Sequence, residues 1–198
     1  MKNLFTFLLI MSTVYSSYSQ ERDVNLYPTN DEVDFNVNGF FINGSLFTQN
    51  TRLVKRDSEH GAAFDRTIDQ YGIGIRVGNK FHKKTNKKYS PGIKIAWLRL
   101  DFGLSYDFDF SAAIAPIHLG FSNLWKLSKT RSIEFNVNTG YVWNVNNGWY
   151  NSISVQSEVI FSYKKGVYGL GYEYNYGVRI GYRGNLNQHK VKLIIGIR

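Results

Sequence analysis

Three side chains of the kinds that perform acyl transfer lie within one stretch of this sequence. His118 and Ser122 share the same parity of a strand-like segment, and a turn near Lys129 is expected to bring Glu134 opposite Ser122–Asn123. A serine nucleophile, a histidine base and an orienting carboxylate form the set that many hydrolases use. Ordinary hydrogen bonding inside the protein is the favoured interpretation of these residues, and acyl transfer is the alternative.

A larger group of ionisable residues recurs at alternate positions along the chain. Nine of them are predicted to share one buried face as an ion network: Arg76, Lys94, Arg99, Asp101, Glu134, Glu158, Glu173, Arg179 and Lys192. Buried charges persist only when they are compensated. The sequence therefore predicts an interior filled by paired charges, with a narrow polar conduit as the alternative.

Other chemistry finds little support in the residue pattern. Asp107 and Asp109 could hold a hard cation, but the further ligands of a known calcium loop are missing. The chain has no cysteine and four scattered histidines, and it contains neither a glycine-rich phosphate loop nor a nucleophile elbow. The sequence predicts no catalytic residue, metal site or cofactor.

The elements that position these residues show the period of a β-strand. Residues 168–183 alternate without exception between apolar or aromatic side chains and glycine or polar side chains. Successive side chains of a strand point to opposite faces, so this segment has one apolar face and one polar face. Its length suits a tilted strand that crosses a membrane, which needs about 9–11 residues.

Composition agrees with an exported all-β protein. The 198 residues carry a net charge of +9, with 16% aromatic residues, 18 glycines and only 3 prolines. A mean hydropathy of −0.30 excludes a bundle of membrane-spanning helices. Lys2, the apolar run 4–11 and the small residues before Gln20 predict a signal peptide over 1–19, with cleavage near Ser19-Gln20. Residues 20–33 would then form a short periplasmic segment, and residues 34–198 a β-barrel.

Eight strand-like runs follow one another in the mature chain. They cover residues 34–48, 68–81, 92–105, 114–125, 133–145, 153–163, 168–183 and 191–197. We predict an all-β fold, a closed antiparallel up-and-down transmembrane barrel of eight strands, because lipid leaves no partner for the edge of an open sheet. Parity changes predict one β-bulge within 40–42 and another near Trp97.

The connectors divide between the two ends of this barrel. Segments 49–67, 105–113, 146–152 and 183–190 are assigned to the outside, and 49–67 is a long charged loop that could present a ligand or partner site. The turns 82–90, 126–131 and 164–166 are basic and are assigned to the periplasm. Their charges are interpreted as anchors beside anionic lipid head groups rather than as a nucleic-acid site.

Aromatic residues near the strand ends predict interfacial belts, in which rings lie at the level of the lipid head groups. The residues assigned to these belts are Trp97, Trp125, Trp143, Trp149, Tyr150, Tyr168 and Tyr182. The aromatic stretches 106–110 and 149–150 could alternatively form a ligand or adhesion surface.

The chain resembles the small Gram-negative outer-membrane β-barrel family, the OmpA/OmpX-like eight-stranded barrels. The resemblance rests on the export signal ending at Ser19-Gln20, the alternating repeats, the aromatic strand ends and a terminal strand that reaches the last residues. It implies an outer-membrane location among outer-membrane lipids and insertion by the barrel-assembly machinery, which usually reads a terminal aromatic residue where this chain has Arg198. Lipid A deacylases in such barrels place His and Ser two residues apart, whereas His118 and Ser122 are four apart.

We therefore expect a non-enzymatic outer-membrane barrel with a structural or surface-interaction role. Three alternatives remain open: a lipid-modifying enzyme that uses His118 and Ser122, a barrel of narrow conductance, and a soluble secreted barrel of the lipocalin type. The last would place its apolar residues inward and its polar residues outward.

Overall fold

The computed structural model describes residues 38–56, 63–83, 88–128, 130–146, 148–163, 166–180 and 184–197. The predicted signal peptide (1–19) and periplasmic segment (20–33) lie outside these residues. Eight strands run β1 Gly39–Arg56, β2 Ala63–His82, β3 Tyr89–Ser105, β4 Phe110–Lys126, β5 Arg131–Asn146, β6 Trp149–Tyr163, β7 Gly166–Arg179 and β8 Gly184–Ile197. No helix within the described part of the chain is long and apolar enough to cross a membrane.

The sheet closes on itself. Each strand pairs antiparallel with the next, and β1 pairs with β8 from Ile42 opposite Ile197 to Lys55 opposite Gly184. The predicted closed antiparallel barrel of eight strands is confirmed. We call the end at which β1 begins and β8 finishes the inner end, and the opposite end the outer end.

The register of the strands fixes the width of the barrel. A path of paired residues that starts at Phe41 returns to β1 at Thr51, ten residues further along; it passes Gly78, Ala96, His118, Gly140, Ser154, Asn175 and Gln188. A stagger of this size gives eight strands a tilt of roughly 40°. The interior is then just wide enough for side chains to fill it.

One of the two predicted bulges is present. Val77 pairs with Leu98 and Gly78 with Ala96, so Trp97 is the extra residue of β3, as its change of parity predicts. A second irregularity, between Ile114 and Ile117 of β4, was not predicted. It includes Pro116, which has no amide hydrogen to donate to a neighbouring strand.

The prediction of a bulge within 40–42 is wrong. Phe40, Phe41 and Ile42 pair with three consecutive residues of β2, so the strand is regular there. Phe40 is exposed on the outer wall, whereas Phe41 is buried in the interior. Because Phe41 is an aromatic residue on the otherwise polar inward face, the regular alternation of this strand resembles a change of parity in the sequence.

The predicted outer connectors are too long. Most of 49–67 belongs to β1 and β2, and only residues 57–62 lie outside the described chain. Residues 110–113 begin β4, residues 149–152 begin β6, and residues 184–190 begin β8. The parts of a strand that extend beyond the lipid-facing band do not need an apolar face, so hydrophobic periodicity does not detect them reliably.

Apolar side chains cover the outside of the barrel and polar side chains fill the inside. Leu170, Ile153 and Ile73 are each at least 60% exposed on the wall. The alternating residues, such as Asn136, Ser154 and Gln156, are almost completely buried. This orientation is the reverse of a lipocalin and contradicts the soluble alternative.

Candidate functional site

Ten charged side chains of the described strands are buried in the lumen, six of them cations and four of them carboxylates. They are Arg76, Lys80, Lys94, Arg99, Lys190 and Lys192, with Asp101, Glu134, Glu158 and Glu173. Eight of the nine residues that the sequence assigned to the ion network lie here. Arg179 does not: it is half-buried at the outer end of β7, opposite Tyr150, because the strand rises beyond the charged layer there.

Lys80 and Lys190 complete the set and were missed by the sequence analysis. Lys80 lies near the inner end of β2, and Lys190 falls in a segment assigned to a connector. Each lies two residues from another inward-facing position, at Gly78 and Lys192, on the polar parity of its strand. That parity was the available signal. It was already within the predicted run 68–81 for Lys80, whereas for Lys190 it required the last strand to begin at Gly184 rather than at Val191.

Five of the charges form an inner cluster, defined as Arg76, Lys80, Lys94, Glu134 and Glu158. Glu158 accepts from two cations, with Arg76 Nη1 at 2.6 Å from Oε1 and Lys94 Nζ at 2.7 Å from Oε2. Lys80 Nζ lies 2.6 Å from Glu134 Oε2. Charge-assisted bonds of this length compensate for the desolvation of each carboxylate.

The other five form an outer cluster, defined as Arg99, Asp101, Glu173, Lys190 and Lys192. Asp101 Oδ2 lies 2.5 Å from Lys190 Nζ and 3.2 Å from Arg99 Nη2. Arg99 Nη2 also lies 2.7 Å from Glu173 Oε1, and Glu173 contacts Lys192. Arg99 thus bridges two carboxylates from opposite sides of the barrel, Asp101 on β3 and Glu173 on β7.

Two inward-facing phenylalanines support these clusters. The Phe41 ring centroid lies 5.1 Å from Lys94 Nζ and 5.4 Å from Lys80 Nζ. The Phe47 ring centroid lies 4.3 Å from Lys190 Nζ. A ring face attracts a desolvated cation, so each phenylalanine stabilises charge while excluding water. The strand period assigned neither residue to the charged interior.

The residues proposed for acyl transfer do not meet. His118 and Ser122 are four residues apart on β4, about 13 Å along a strand. Ser122 Oγ instead lies 2.8 Å from His82 Nε2, and Glu134 pairs with Leu124 across the ladder rather than with Ser122. His118 Nε2 lies 3.5 Å from Arg99 Nη1. The alternative of a catalytic set is therefore not supported, since Glu134 lies opposite Leu124, one residue beyond the expected Ser122–Asn123.

An apolar cluster, which we call the outer cap, lies in the lumen between the charges and the outer end. It consists of Leu53, Ile68, Tyr150 and Leu186, which form one buried cluster. Between the cap and the charged clusters lies a layer of amides in which Gln49 donates to Gln70 at 2.5 Å. Tyr150 was predicted to lie in an interfacial belt, and this is wrong: its ring points inward and is fully buried.

Replacing Tyr150 by phenylalanine is expected to raise the stability of the barrel by about 1 kcal/mol. The Tyr150 hydroxyl is buried without a hydrogen-bond partner among the described atoms, so its removal relieves an uncompensated desolvation cost. Urea unfolding of the refolded barrel, followed by gel mobility, measures the change. A loss of stability in the Tyr150→Phe variant would show that the hydroxyl is satisfied.

The remaining aromatic residues assigned to the belts differ in their exposure. Trp97, Trp143, Trp149 and Tyr168 are exposed on the outer wall, and Trp125 is half-buried against Tyr89, with ring centroids 5.3 Å apart. Tyr182 lies outside the described residues. Tyr106 and Phe108, in the β3–β4 turn, are the most exposed of the large apolar side chains in the described chain, at 82% each.

The β1–β2 hairpin extends beyond the rest of the outer end. The pairing of β2 with β3 begins at Gln70 opposite Ser105, so residues 63–69 of β2 pair with β1 alone among the described residues. Seven strand residues correspond to about 23 Å along the strand. The structure therefore has a strand edge at its outer end whose backbone groups face no neighbouring strand within the described chain.

Polar pairs cover this hairpin. Arg52 Nη2 lies 2.5 Å from Asp65 Oδ2, and the hydrogen bond from Arg52 lowers the pKa of Asp65 below its ordinary value. Arg66 reaches the β3–β4 turn, where its Nη2 lies 2.6 Å from Asp109 Oδ2. Asp109 is thus engaged by a cation of the protein. Within the described residues, no group of three or more His, Cys, Asp or Glu side chains could hold a metal ion.

The closed eight-stranded wall, the apolar exterior and the polar interior define the outer-membrane β-barrel class of fold. No family model matches the chain, and no curated protein matches its sequence. Among solved structures, the barrel is similar to Neisserial surface protein A (NspA), with a TM-score of 0.50 and 11% identity over 80% of this chain and 96% of that chain.

Two further solved structures show weaker likeness. The β domain of the Bordetella autotransporter BrkA gives a TM-score of 0.40 with 11% identity, covering 80% of this chain and 67% of that one. Ail, the attachment invasion locus protein of Yersinia pestis, gives 0.32 with 8% identity, covering 79% and 98%. At these identities, the likeness to NspA shows the fold alone.

Proposed function

We propose that this protein is a non-enzymatic barrel of the Gram-negative outer membrane whose outer end takes part in surface interactions. The observation that carries the proposal is the β1–β2 hairpin, which projects beyond the other hairpins with an unpaired edge over residues 63–69 of β2. An exposed edge of this kind accepts an additional strand from a partner through main-chain hydrogen bonds.

The location in the outer membrane is supported by the surface of the wall. Its exposed side chains are apolar around the whole barrel, which is unfavourable in water and favourable in lipid. The structurally similar NspA is a surface protein by name. Outer-membrane lipids and the barrel-assembly machinery are accordingly the first partners of the chain, and the outer hairpin provides the site for a further one.

A closed lumen is part of the same proposal. The charged clusters fill the middle of the barrel, and the outer cap of Leu53, Ile68, Tyr150 and Leu186 covers them at the outer end. Passage of solutes would require the ion pairs to separate. We therefore assign the interior to stability of the wall rather than to transport.

Fractionation of expressing cells tests the class and location together. The protein is expected in the outer-membrane fraction, and an unboiled sample is expected to migrate differently from a boiled one, because a closed barrel resists unfolding by detergent. A soluble protein without a mobility shift would overturn the proposal.

Shortening the β1–β2 hairpin tests the surface role. Leu53 and Arg66 are directly paired, so an Asn-Gly turn can replace residues 54–65 without changing the register below it. The change removes residues 63–65 and shortens the unpaired edge of β2 from seven residues to four. We expect the shortened barrel to keep its heat-dependent shift in gel mobility. Cells that display it are expected to lose most of their adhesion to one another and to surfaces.

The control for this experiment is Asp65→Asn, which removes the exposed ion pair and leaves the strand edge in place. Its adhesion is expected to equal that of the parent protein, since exposed ion pairs contribute little. Equal adhesion of the shortened and full-length barrels would exclude residues 54–65, the projecting part of the hairpin, as the interaction site.

A further inference from the structure

The buried charges of the lumen do not balance. In the inner cluster, Arg76, Lys80 and Lys94 face two carboxylates, and in the outer cluster Arg99, Lys190 and Lys192 also face two. Each cluster therefore has one cation in excess when its lysines are charged. An excess charge in a poorly solvated interior is costly unless an opposite charge lies near it.

A small cavity lies where the two clusters meet. Its volume is about 10 Å³, close to the space that one water molecule occupies. Cations of both clusters line it, namely Arg76 from the inner cluster and Arg99 and Lys192 from the outer one, together with Asn43 and Ser45 of β1. Asp101 and Glu158 also reach its wall.

Three hydrogen-bond donors that belong to residues lining this cavity lack partners among the described atoms. They are Arg76 Nε, Arg99 Nε and Asn43 Nδ2, and all three residues are more than nine-tenths buried. In the wall, Glu158 binds Arg76 and Lys94 through both of its oxygens, and Asp101 binds Lys190 through Oδ2. Asp101 Oδ1 and Asn43 Oδ1 have no partner among the described atoms, but the cations of the wall still outnumber its carboxylates by three to two. Three unused donors beside three cations form an environment for an acceptor that carries negative charge.

We propose that a monovalent anion of about the size of chloride binds in this cavity, between Arg76 and Arg99. Chloride is somewhat larger than water, and the flexible Lys192 side chain in the wall can move to admit it. The anion would neutralise part of the excess charge of both clusters at once and would connect β1, β2 and β3 through a single centre.

Bromide provides a direct test because it replaces chloride and scatters anomalously. Crystals of the full barrel soaked in bromide are expected to show an anomalous peak between the Arg76 and Arg99 side chains. Ordinary water density at this place without an anomalous peak would overturn the proposal and would assign the cavity to solvent.

Stability in solution gives a second, independent test. At equal ionic strength, the unfolding temperature of the purified barrel is expected to be higher in chloride than in gluconate by about 3–6 °C, because a ligand that binds only the folded state stabilises it. The same midpoint in both salts would contradict a bound anion and would favour loss of a proton from a buried lysine.

Two variants that remove the same charge distinguish this site from general screening. Arg76→Gln removes a cation from the cavity wall and should abolish the chloride dependence, whereas Lys190→Gln removes a cation that does not line it and should preserve the dependence. Equal chloride dependence in both variants would refute the site. Asn43→Ala, which changes no charge, should raise the chloride concentration needed for half of the effect.

Discussion

Replacing Glu158 by glutamine is expected to destabilise the barrel by about 3–5 kcal/mol. Glu158 is the carboxylate that both Arg76 and Lys94 contact, at 2.6 and 2.7 Å, and its side chain is completely buried. The variant keeps the shape of the side chain and leaves two cations without their shared partner. The midpoint of urea unfolding, read from the mobility of the folded band, measures the loss.

The neighbouring charge provides a check on this explanation. Adding Lys94→Met to Glu158→Gln removes one of the two cations that lost their carboxylate partner, so the double variant should recover part of the lost stability. Asp65→Asn, which breaks an exposed pair on the hairpin, should leave the midpoint unchanged. A Glu158→Gln barrel as stable as the parent would mean that water compensates the inner cluster.

Gly140→Ala should destabilise the barrel by about 1–3 kcal/mol through overpacking alone. A β-carbon at this position would lie 2.3 Å from the His118 ring and 2.4 Å from the backbone oxygen of Ile117. The ring can turn, but the strand that carries this oxygen cannot move without disturbing the β4–β5 ladder. His118 would also be displaced from Arg99, which lies 3.5 Å from it.

Gly44→Ala is the matched control, since it makes the same chemical change in a strand. The nearest atom to its new β-carbon would be the backbone oxygen of Ile195 at 3.6 Å, an ordinary contact. We expect its unfolding midpoint to match or slightly exceed that of the parent. If both alanine variants behave alike, the close packing at Gly140 is not a constraint on the fold.

The strand period made much of the fold predictable. The alternation in segments such as 133–145 and 168–183 set the number of strands, the closed topology and the polar interior, because a buried face and a lipid face impose opposite residue types. The parity change at Trp97 located its bulge for the same reason. The strand count, the polar interior and the bulge follow from side-chain direction, and closure follows because lipid offers no partner to an open edge.

The arrangement of the lumen was harder to predict, because it depends on which residues meet across the barrel. Glu134 lies 54 residues from its partner Lys80, and Asp101 lies 89 residues from Lys190. Local spacing carries no information about such contacts. Inward-facing Phe41 and Tyr150 also depart from the polar parity, since cation–π contacts and a dry cap suit aromatic residues at places that a simple period assigns to polar ones.

The pairing of the first strand with the last has a consequence for how the chain folds. Seven of the eight strand contacts join neighbours in sequence, but Ile42 must find Ile197, which can happen only after the whole chain is available. Until then, a partly formed sheet exposes two open edges and a continuous apolar face. Such contacts of high sequence separation slow folding and favour aggregation. The barrel therefore cannot close before β8 is present to pair with β1, and that requirement arises from the topology of the barrel rather than from any single residue.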